Sequence, residues 1–151
     1  MAQTILDSRE EIIKLDKQNV LGSVEQLADQ IEDAWNGAKS VKVPAEYKAV
    51  KNIVVSGMGG SALGAHVIKT LYKDSLRQPL EVVNHYQLPA YVNSDTLVVL
   101  SSYSGSTEET LASAEDAKKR GAKIVVIAAG GKLLEFAQAN NLPVYKIVPT
   151  F

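Results

Sequence analysis

The stretch that indicates the fold is Asn52–Tyr72, NIVVSGMGGSALGAHVIKTLY. It passes from a short apolar run, Ile53–Val55, through a turn rich in glycine and serine, into a predicted helix, Ala62–Tyr72. Further strands are predicted at Leu80–Val83, Thr96–Ser101, Lys123–Ala129 and Val144–Val148, with helices at Glu108–Arg120 and Lys132–Asn140. Continuous apolar runs separated by helices are typical of a parallel sheet covered on both faces. We therefore predict an α/β fold: a three-layer, doubly wound sheet of five parallel strands in the common order 2-1-3-4-5.

The residues before this stretch predict helices. A short helix is expected at Ser8–Leu15, with Ser8 as its N-cap and Glu11 three residues on. A second helix is expected to end at Asn36-Gly37, because apolar residues recur every three or four positions at Val20, Val24, Leu27, Ile31 and Trp35. We expect this apolar stripe to pack on the sheet or on a second subunit. The predicted organisation is a helical leader and connection, residues 1–46, followed by an α/β domain, residues 47–151.

Composition excludes several classes of protein. The 151 residues include 16 basic and 17 acidic side chains, so the net charge of −1 argues against binding to nucleic acid or to an anionic membrane surface. The absence of cysteine excludes disulfides, thiol nucleophiles and cysteine-ligated metals. Residues 1–16 lack the pattern of a secretory signal, and the uncharged run Asn52–Ile68 is broken by glycines. We expect a soluble, cytoplasmic domain.

Two turns that follow strands carry the candidate chemistry. They are Ser56–Ser61 after the first strand and Ser101–Thr107 after the third. In the order 2-1-3-4-5 these strands are neighbours where the strand order reverses, which is where open parallel sheets bind ligands. Glycines and helix starts attract anions, and hydroxyls without lysine or arginine suit a phosphate monoester that exchanges readily. The sequence therefore predicts a phosphate site, although Ser106-x-x-Glu109 is also explained as a capping box that needs no ligand.

Two nucleotide-binding motifs fit less well. Residues Gly57–Ala62 match G-x-G-x-x-G/A after a strand, but the end of the second strand, Val82–His85, lacks the acid that would bind a ribose. A phosphate-binding P-loop fails because Gly64 is followed by Ala65-His66 in place of lysine and a hydroxyl. A nucleotide-binding Rossmann domain therefore stays as a weaker alternative.

Read together, residues 52–72 and the segment LVVLSSYSGSTEET, residues 97–110, resemble the sugar isomerase (SIS) domain, in particular the bifunctional phosphoglucose/phosphomannose isomerase family. The segment DKQNVLGSVEQLADQIEDAW, residues 16–35, is similar to the helical leader of that family. The resemblance implies that Gly60 and Ser61 approach a sugar phosphate. It also implies that Ser102, Ser104 and Thr107 hold the phosphate oxygens; Ser106 stands where the family often has asparagine. The full predicted phosphate-binding set is Gly59, Gly60, Ser61, Ser102, Ser104, Ser106 and Thr107.

The resemblance also implies an activity. The family interconverts glucose 6-phosphate or mannose 6-phosphate with fructose 6-phosphate by moving a proton through an enediolate, without a cofactor. Its proton-transfer groups come from a second SIS domain, an arginine just after strand five and a histidine of the partner subunit. We therefore assign no catalytic residue in this chain, and we expect it to be the first part of a longer, homodimeric protein that binds a hexose phosphate.

Two further expectations accompany this assignment. His66 and His85 are interpreted as structural, and no metal site is predicted because the chain has two histidines and no carboxylate cluster at ligand spacing. An alternative function is that of a stand-alone SIS module, which senses a phosphosugar on behalf of a partner protein.

Overall fold

The computed structural model describes residues 4–149, which form two compact units, residues 4–39 and residues 40–149. The first unit contains helices α1 (Arg9–Leu15), α2 (Val20–Glu25) and α3 (Leu27–Ala38). The second contains strands β1 (Asn52–Ser56), β2 (Leu80–Val83), β3 (Thr96–Ser102), β4 (Lys123–Ala128) and β5 (Val144–Lys146), and helices α4 (Gly60–Leu71), α5 (Glu108–Lys119) and α6 (Gly131–Ala139). Within the described residues, no helix is long and apolar enough to cross a membrane.

The first unit corrects one expectation and confirms another. The Ser8 hydroxyl accepts a hydrogen bond from the Glu11 N–H at 3.4 Å, which confirms Ser8 as the N-cap of α1. The single helix expected through the apolar stripe is wrong, because it divides at Gln26 into α2 and α3. The Gln30 side-chain amide donates to the Ser23 carbonyl at 3.0 Å and so occupies the acceptor that Leu27 would use in a continuous helix.

The predicted end of that helix is also wrong. The helix continues through Asn36-Gly37 to Ala38. Gly37 is not among the glycines with positive φ, so it does not take the left-handed conformation that ends many helices. The apolar stripe itself is exposed, with Trp35 65% accessible.

The sheet of the second unit has the predicted topology. All pairs are parallel and the strand order is β2-β1-β3-β4-β5. β1 lies between β2 and β3, with Val54 opposite Glu81 on one side and Val98 on the other. The strand order therefore reverses between β1 and β3, and the two turns singled out in the sequence follow these neighbouring strands.

Helices bury one face of the sheet more completely than the other. On one face, the core contains Val98, Leu100 and Val126 from the sheet, together with residues of α5 and α6; the contributing helical residues are Ala114, Ala117, Leu133 and Ala137. The other face carries the remaining side chains of β3 and β4, several of which are only half-buried. Helix α4 packs on this face through the small side chains of Ala62 and Ala65. The sheet therefore fixes α4 and α5 on opposite faces, with both helices beginning at its carboxyl edge.

The end of α5 matches the sequence prediction. Gly121 follows the helix with φ +69°, and its N–H donates to the Lys118 carbonyl at 3.0 Å. The N–H of Ala122 donates to the Ala117 carbonyl at 3.0 Å. These two bonds form a Schellman motif, which satisfies the last carbonyls of the helix and turns the chain into β4.

Candidate functional site

Two loops lie side by side at the carboxyl edge of the sheet. The first loop, residues 57–61, comprises the turn after β1 and the first two residues of α4, and the second loop, residues 102–107, comprises the last residue of β3 and the turn to α5. The N–H of Tyr103 donates to the Ser61 hydroxyl at 3.3 Å, which joins the two loops directly. The expectation that both loops line one crevice therefore rests on a specific contact in addition to the strand order.

Close backbone packing shapes the first loop. A Cβ on Gly57 would lie 2.9 Å from the Ser101 carbonyl oxygen, so a larger residue would push β1 and β3 apart at this point. Gly59 has φ +53° and precedes α4 as its N-cap. The N–H of Gly60, the first residue of α4, has no acceptor among the described residues, whereas the N–H groups of Ser61 and Ala62 donate to the Met58 and Gly59 carbonyls at 3.1 Å.

Asn84 holds the first loop from the other side and was missed by the sequence analysis. It follows β2, and its side-chain amide donates to the Gly57 carbonyl at 2.6 Å. The sequence analysis considered this position only for the absence of an acid. The signal that could have found it is a polar residue at the carboxyl end of a strand that neighbours the glycine-rich turn.

The second loop is organised by hydroxyls that bond within it. The Ser102 side chain is buried, and its Oγ accepts from the Gly105 N–H at 3.1 Å and lies 2.8 Å from the Thr107 Oγ1. The alternative explanation of Ser106 and Glu109, a capping box that needs no ligand, is wrong. The N-cap of α5 is Thr107, and no side chain caps this helix. The N–H groups of Glu108 and Glu109 thus keep no acceptor among the described residues.

A third loop packs against the second loop. It contains Gly130 and Gly131, which follow β4. A Cβ on Gly105 would lie 1.8 Å from the Gly130 carbonyl oxygen, and a Cβ on Gly131 would lie 2.5 Å from the Ser104 carbonyl oxygen. The N–H of Leu133 donates to the Gly105 carbonyl at 2.8 Å. Only glycine fits on either side of this contact.

The space beside the loops is a cleft of about 540 Å³. Its lining consists of Met58, Gly60, Ser61, Gly64, Ser101, Tyr103 and Ile147. None of these residues is acidic, basic or a histidine, so the cleft offers backbone N–H groups and hydroxyls as its polar contacts. An α-helix carries about half a positive charge at its N-terminus. The start of α4 lines the cleft and therefore gives it a positive character that suits an anion.

The predicted site residues divide into two groups. Gly60 and Ser61 line the cleft. The other five lie next to it: Gly59, Ser104 and Ser106 are exposed, Thr107 is half-buried and Ser102 is buried beneath its loop. The Ser104 Oγ accepts from the Ser106 N–H at 3.2 Å. All seven predicted residues thus lie on the two adjoining loops. Of these seven, the residues that line the cleft, Gly60 and Ser61, both belong to the first loop.

The two histidines of the described residues and the carboxylates near the loops lie outside the cleft lining. His66 is exposed on α4, and His85 is exposed after β2, where its Nδ1 accepts from the Gln87 N–H at 3.4 Å. The Tyr86 hydroxyl donates to a Glu108 carboxylate oxygen at 3.3 Å. The charge of Glu109, with desolvation and the contact to Glu108, raises the pKa of Tyr86. Across residues 4–149, no three histidine, cysteine, aspartate or glutamate side chains are grouped so that they could hold a metal ion.

Comparison with known proteins gives a consistent match. The family model described as the SIS domain matches residues 46–141. A bifunctional phosphoglucose/phosphomannose isomerase from Caldicellulosiruptor bescii is 44% identical over 125 residues, 83% of this chain and 37% of that enzyme. The counterpart from Aquifex aeolicus is 36% identical over 129 residues, 85% of this chain and 40% of that enzyme. This chain therefore spans well under half the length of either relative.

A solved structure supports the fold. A hypothetical protein from Thermus thermophilus superimposes with a TM-score of 0.62 and 26% sequence identity. The superposition covers 88% of this chain and 36% of that one.

Substitution of Gly105 should separate steric from conformational effects in the second loop. We expect Gly105→Ala to lower the free energy of unfolding by more than Gly121→Ala does, because both glycines have positive φ but only Gly105 is blocked by the third loop. The φ-related cost of the control is on the order of 1 kcal/mol. Chemical denaturation measures both values. Equal losses of stability would contradict the proposed support by Gly130 and Gly131.

Proposed function

The chain belongs to the SIS domain family, and we propose that it is the phosphosugar-binding domain of an aldose–ketose isomerase. The proposed reaction interconverts glucose 6-phosphate or mannose 6-phosphate with fructose 6-phosphate. The observation that carries the proposal is the hydrogen bond between Tyr103 and Ser61. This bond holds the starts of two helices beside one open cleft, where a single phosphate can reach both loops.

The composition of the site favours a phosphate monoester that is exchanged. The two loops contain no lysine or arginine, so the anion is met by helix N-termini, backbone N–H groups and hydroxyls. Neutral donors bind a phosphate less tightly than a bidentate arginine does. A substrate that must leave after each turnover suits such a site.

We assign the phosphate contacts to both loops. Gly59, Gly60 and Ser61 bind from the start of α4, and Ser104, Ser106 and Thr107 bind from the second loop. Ser102 completes the set from below: when the buried Ser102 hydroxyl donates to the Thr107 Oγ1 in their 2.8 Å contact, the Thr107 proton is available for a phosphate oxygen. Asn84 acts indirectly, because it fixes the Gly57 carbonyl and with it the path of the first loop.

The proton-transfer groups must come from outside the described cleft. Isomerisation moves a proton between C1 and C2 of the sugar, so it needs a base, an acid that opens the ring and stabilisation of the enediolate. No acidic, basic or histidine side chain lines the cleft, so the lining contains no side chain suited to act as the base. We propose that a second SIS domain of a longer, homodimeric protein provides them, since this chain corresponds to 37% of the Caldicellulosiruptor relative.

Binding of fructose 6-phosphate tests the phosphate site. We expect the chain to bind this sugar and not unphosphorylated fructose. The variants Ser104→Ala and Thr107→Ala should each weaken binding by about 1–3 kcal/mol, because each removes a hydrogen bond to a charged group. Isothermal titration calorimetry measures the difference. Ser75→Ala is the matched control, because the Ser75 hydroxyl donates to the Tyr72 carbonyl beyond the far end of α4. Equal affinity for both sugars, or no binding of either, would refute the site.

An assay for turnover tests where the catalytic groups lie. We expect the 151-residue chain to bind fructose 6-phosphate without converting it to glucose 6-phosphate above the uncatalysed rate, because its cleft lacks a base. A coupled assay with glucose-6-phosphate dehydrogenase measures the conversion. Robust turnover by this chain alone would show that the catalytic groups have been misplaced.

A further inference from the structure

A second cavity lies toward the amino edge of the sheet, away from the candidate site. Its volume is about 440 Å³, and its lining follows the chain from the last turn of α4 through the connection to β2. The lining includes three cations, Lys69, Lys73 and Arg77, and three apolar side chains, Leu76, Pro79 and Leu80. We refer to this space as the basic cavity. It shares no lining residue with the cleft, which adjoins the opposite end of α4.

Backbone hydrogen bonds fix the connection that forms the basic cavity. The N–H of Leu76 donates to the Tyr72 carbonyl at 2.8 Å, just after the end of α4. The N–H of Ile53 in β1 donates to the Pro79 carbonyl at 2.9 Å, just before β2 begins. Both ends of the connection are therefore anchored, and the cavity is formed without a ligand, as binding sites for small molecules usually are.

The three cations of the basic cavity have no counter-ion. Lys69, Lys73 and Arg77 follow one another at intervals of four residues, and none of them forms an ion pair with a residue in the described range 4–149. The acid of this segment, Asp74, is exposed and does not line the cavity. The dipole of α4 favours a cation in its last turn, which explains Lys69 but not Arg77, well beyond the end of the helix. Unpaired positive charge is thus concentrated in a concave surface, which favours an anionic ligand.

A neighbouring cavity of about 500 Å³ extends the basic cavity along β2. The two cavities share Lys69, Pro79 and Leu80, and the extension adds Asn52, Glu81 and Tyr91. The Tyr91 hydroxyl donates to a Glu81 carboxylate oxygen at 2.6 Å. Desolvation, together with this contact, raises the pKa of Tyr91 to about 12, so the hydroxyl keeps its proton. The Asn52 Oδ1 is buried and has no hydrogen-bond donor among the described residues. The extension therefore contains acceptor oxygens suited to hydroxyl or amino groups.

We propose that the basic cavity binds the polyphosphate group of a small organic molecule, such as a nucleoside di- or triphosphate. The three cations neutralise the phosphates, and the planar guanidinium of Arg77 can donate two parallel hydrogen bonds to one of them. The organic part of the ligand contacts the apolar side chains of the cavity, and its hydroxyl or amino groups donate toward Glu81 and Asn52. Three clustered cations in a chain of net charge −1 do not form the extended basic surface that binds nucleic acid.

This site is independent of the proposed isomerase function. The cleft contacts an anion through backbone N–H groups and hydroxyls, whereas the basic cavity contacts it through charged side chains. Helix α4, which has 12 residues and is therefore about 18 Å long, separates the two sites. A polyphosphate at one end of this helix and a sugar phosphate at the other would bind without competing.

Titration calorimetry with ATP, inorganic triphosphate and adenosine, in buffer without divalent cations, tests the nature of the ligand. We expect ATP to bind more tightly than triphosphate, because only ATP contacts the apolar side chains of the cavity. Adenosine, which lacks the phosphates, should not bind. Equal affinity for ATP and triphosphate would overturn the assignment of an organic ligand. The absence of binding by both would overturn the site.

Variants of the cations test the position of the ligand. Lys73→Gln and Arg77→Gln should each weaken ATP binding about tenfold, because each removes a hydrogen bond to a charged group. Both side chains are exposed, so the circular dichroism spectrum should not change. Lys119→Gln is the matched control: Lys119 is an exposed lysine in the last turn of α5, on the opposite face of the sheet, and this variant should bind ATP as the parent chain does.

Two results would place the polyphosphate elsewhere and overturn the proposal. The first is an ATP affinity that neither Lys73→Gln nor Arg77→Gln lowers, and the second is displacement of ATP by fructose 6-phosphate. Fructose 6-phosphate binding by Arg77→Gln, measured in parallel, should equal that of the parent chain. This measurement separates a failure of the basic cavity from a failure of the phosphate site.

Discussion

The candidate site depends on the close approach of the second and third loops, which glycine alone permits. A Cβ on Gly105 would lie 1.8 Å from the Gly130 carbonyl oxygen, well inside the contact distance of any two atoms. The hydrogen bond from Leu133 to Gly105 fixes this approach, and the second loop in turn positions Ser61 through Tyr103. The geometry of all three loops is therefore coupled, and the starts of α4 and α5 are held at the same edge of the sheet as a consequence.

The electrostatics of the site follow from the backbone. The first and second loops contain no lysine or arginine; an anion is attracted instead by the backbone N–H groups at the starts of α4 and α5 that lack acceptors among the described residues. The carboxylates that begin α5 lie outside the cleft lining, where Glu108 accepts from the Tyr86 hydroxyl. The cleft thus combines positive character with the absence of a base, which is why we propose that binding and catalysis belong to different parts of a longer protein.

The sequence predicts the fold and the two loops but not the contacts that organise them. Strand order follows from continuous apolar runs such as Ile53–Val55, because a parallel sheet buried by helices restricts the arrangement to a few topologies. Asn84 and Gly130 support the loops through contacts with residues 25 or more positions away in the sequence. The spacing of apolar residues along the chain predicts helices and strands but carries no information on such contacts. Hydrogen bonds of side chains explain two further differences. The Gln30 side chain bonds to the Ser23 carbonyl at the break between α2 and α3, and the Thr107 hydroxyl at the start of α5 bonds to Ser102 and does not cap the helix.

The central claim is that the two loops form a single anion site, and backbone amide resonances test it most directly. A titration with fructose 6-phosphate, followed by ¹H–¹⁵N correlation spectra, should shift the amides of residues 59–61 and 104–109 together, with one common dissociation constant. Unphosphorylated fructose should leave them unchanged. Shifts confined to one loop, or two loops that titrate with different constants, would contradict the account.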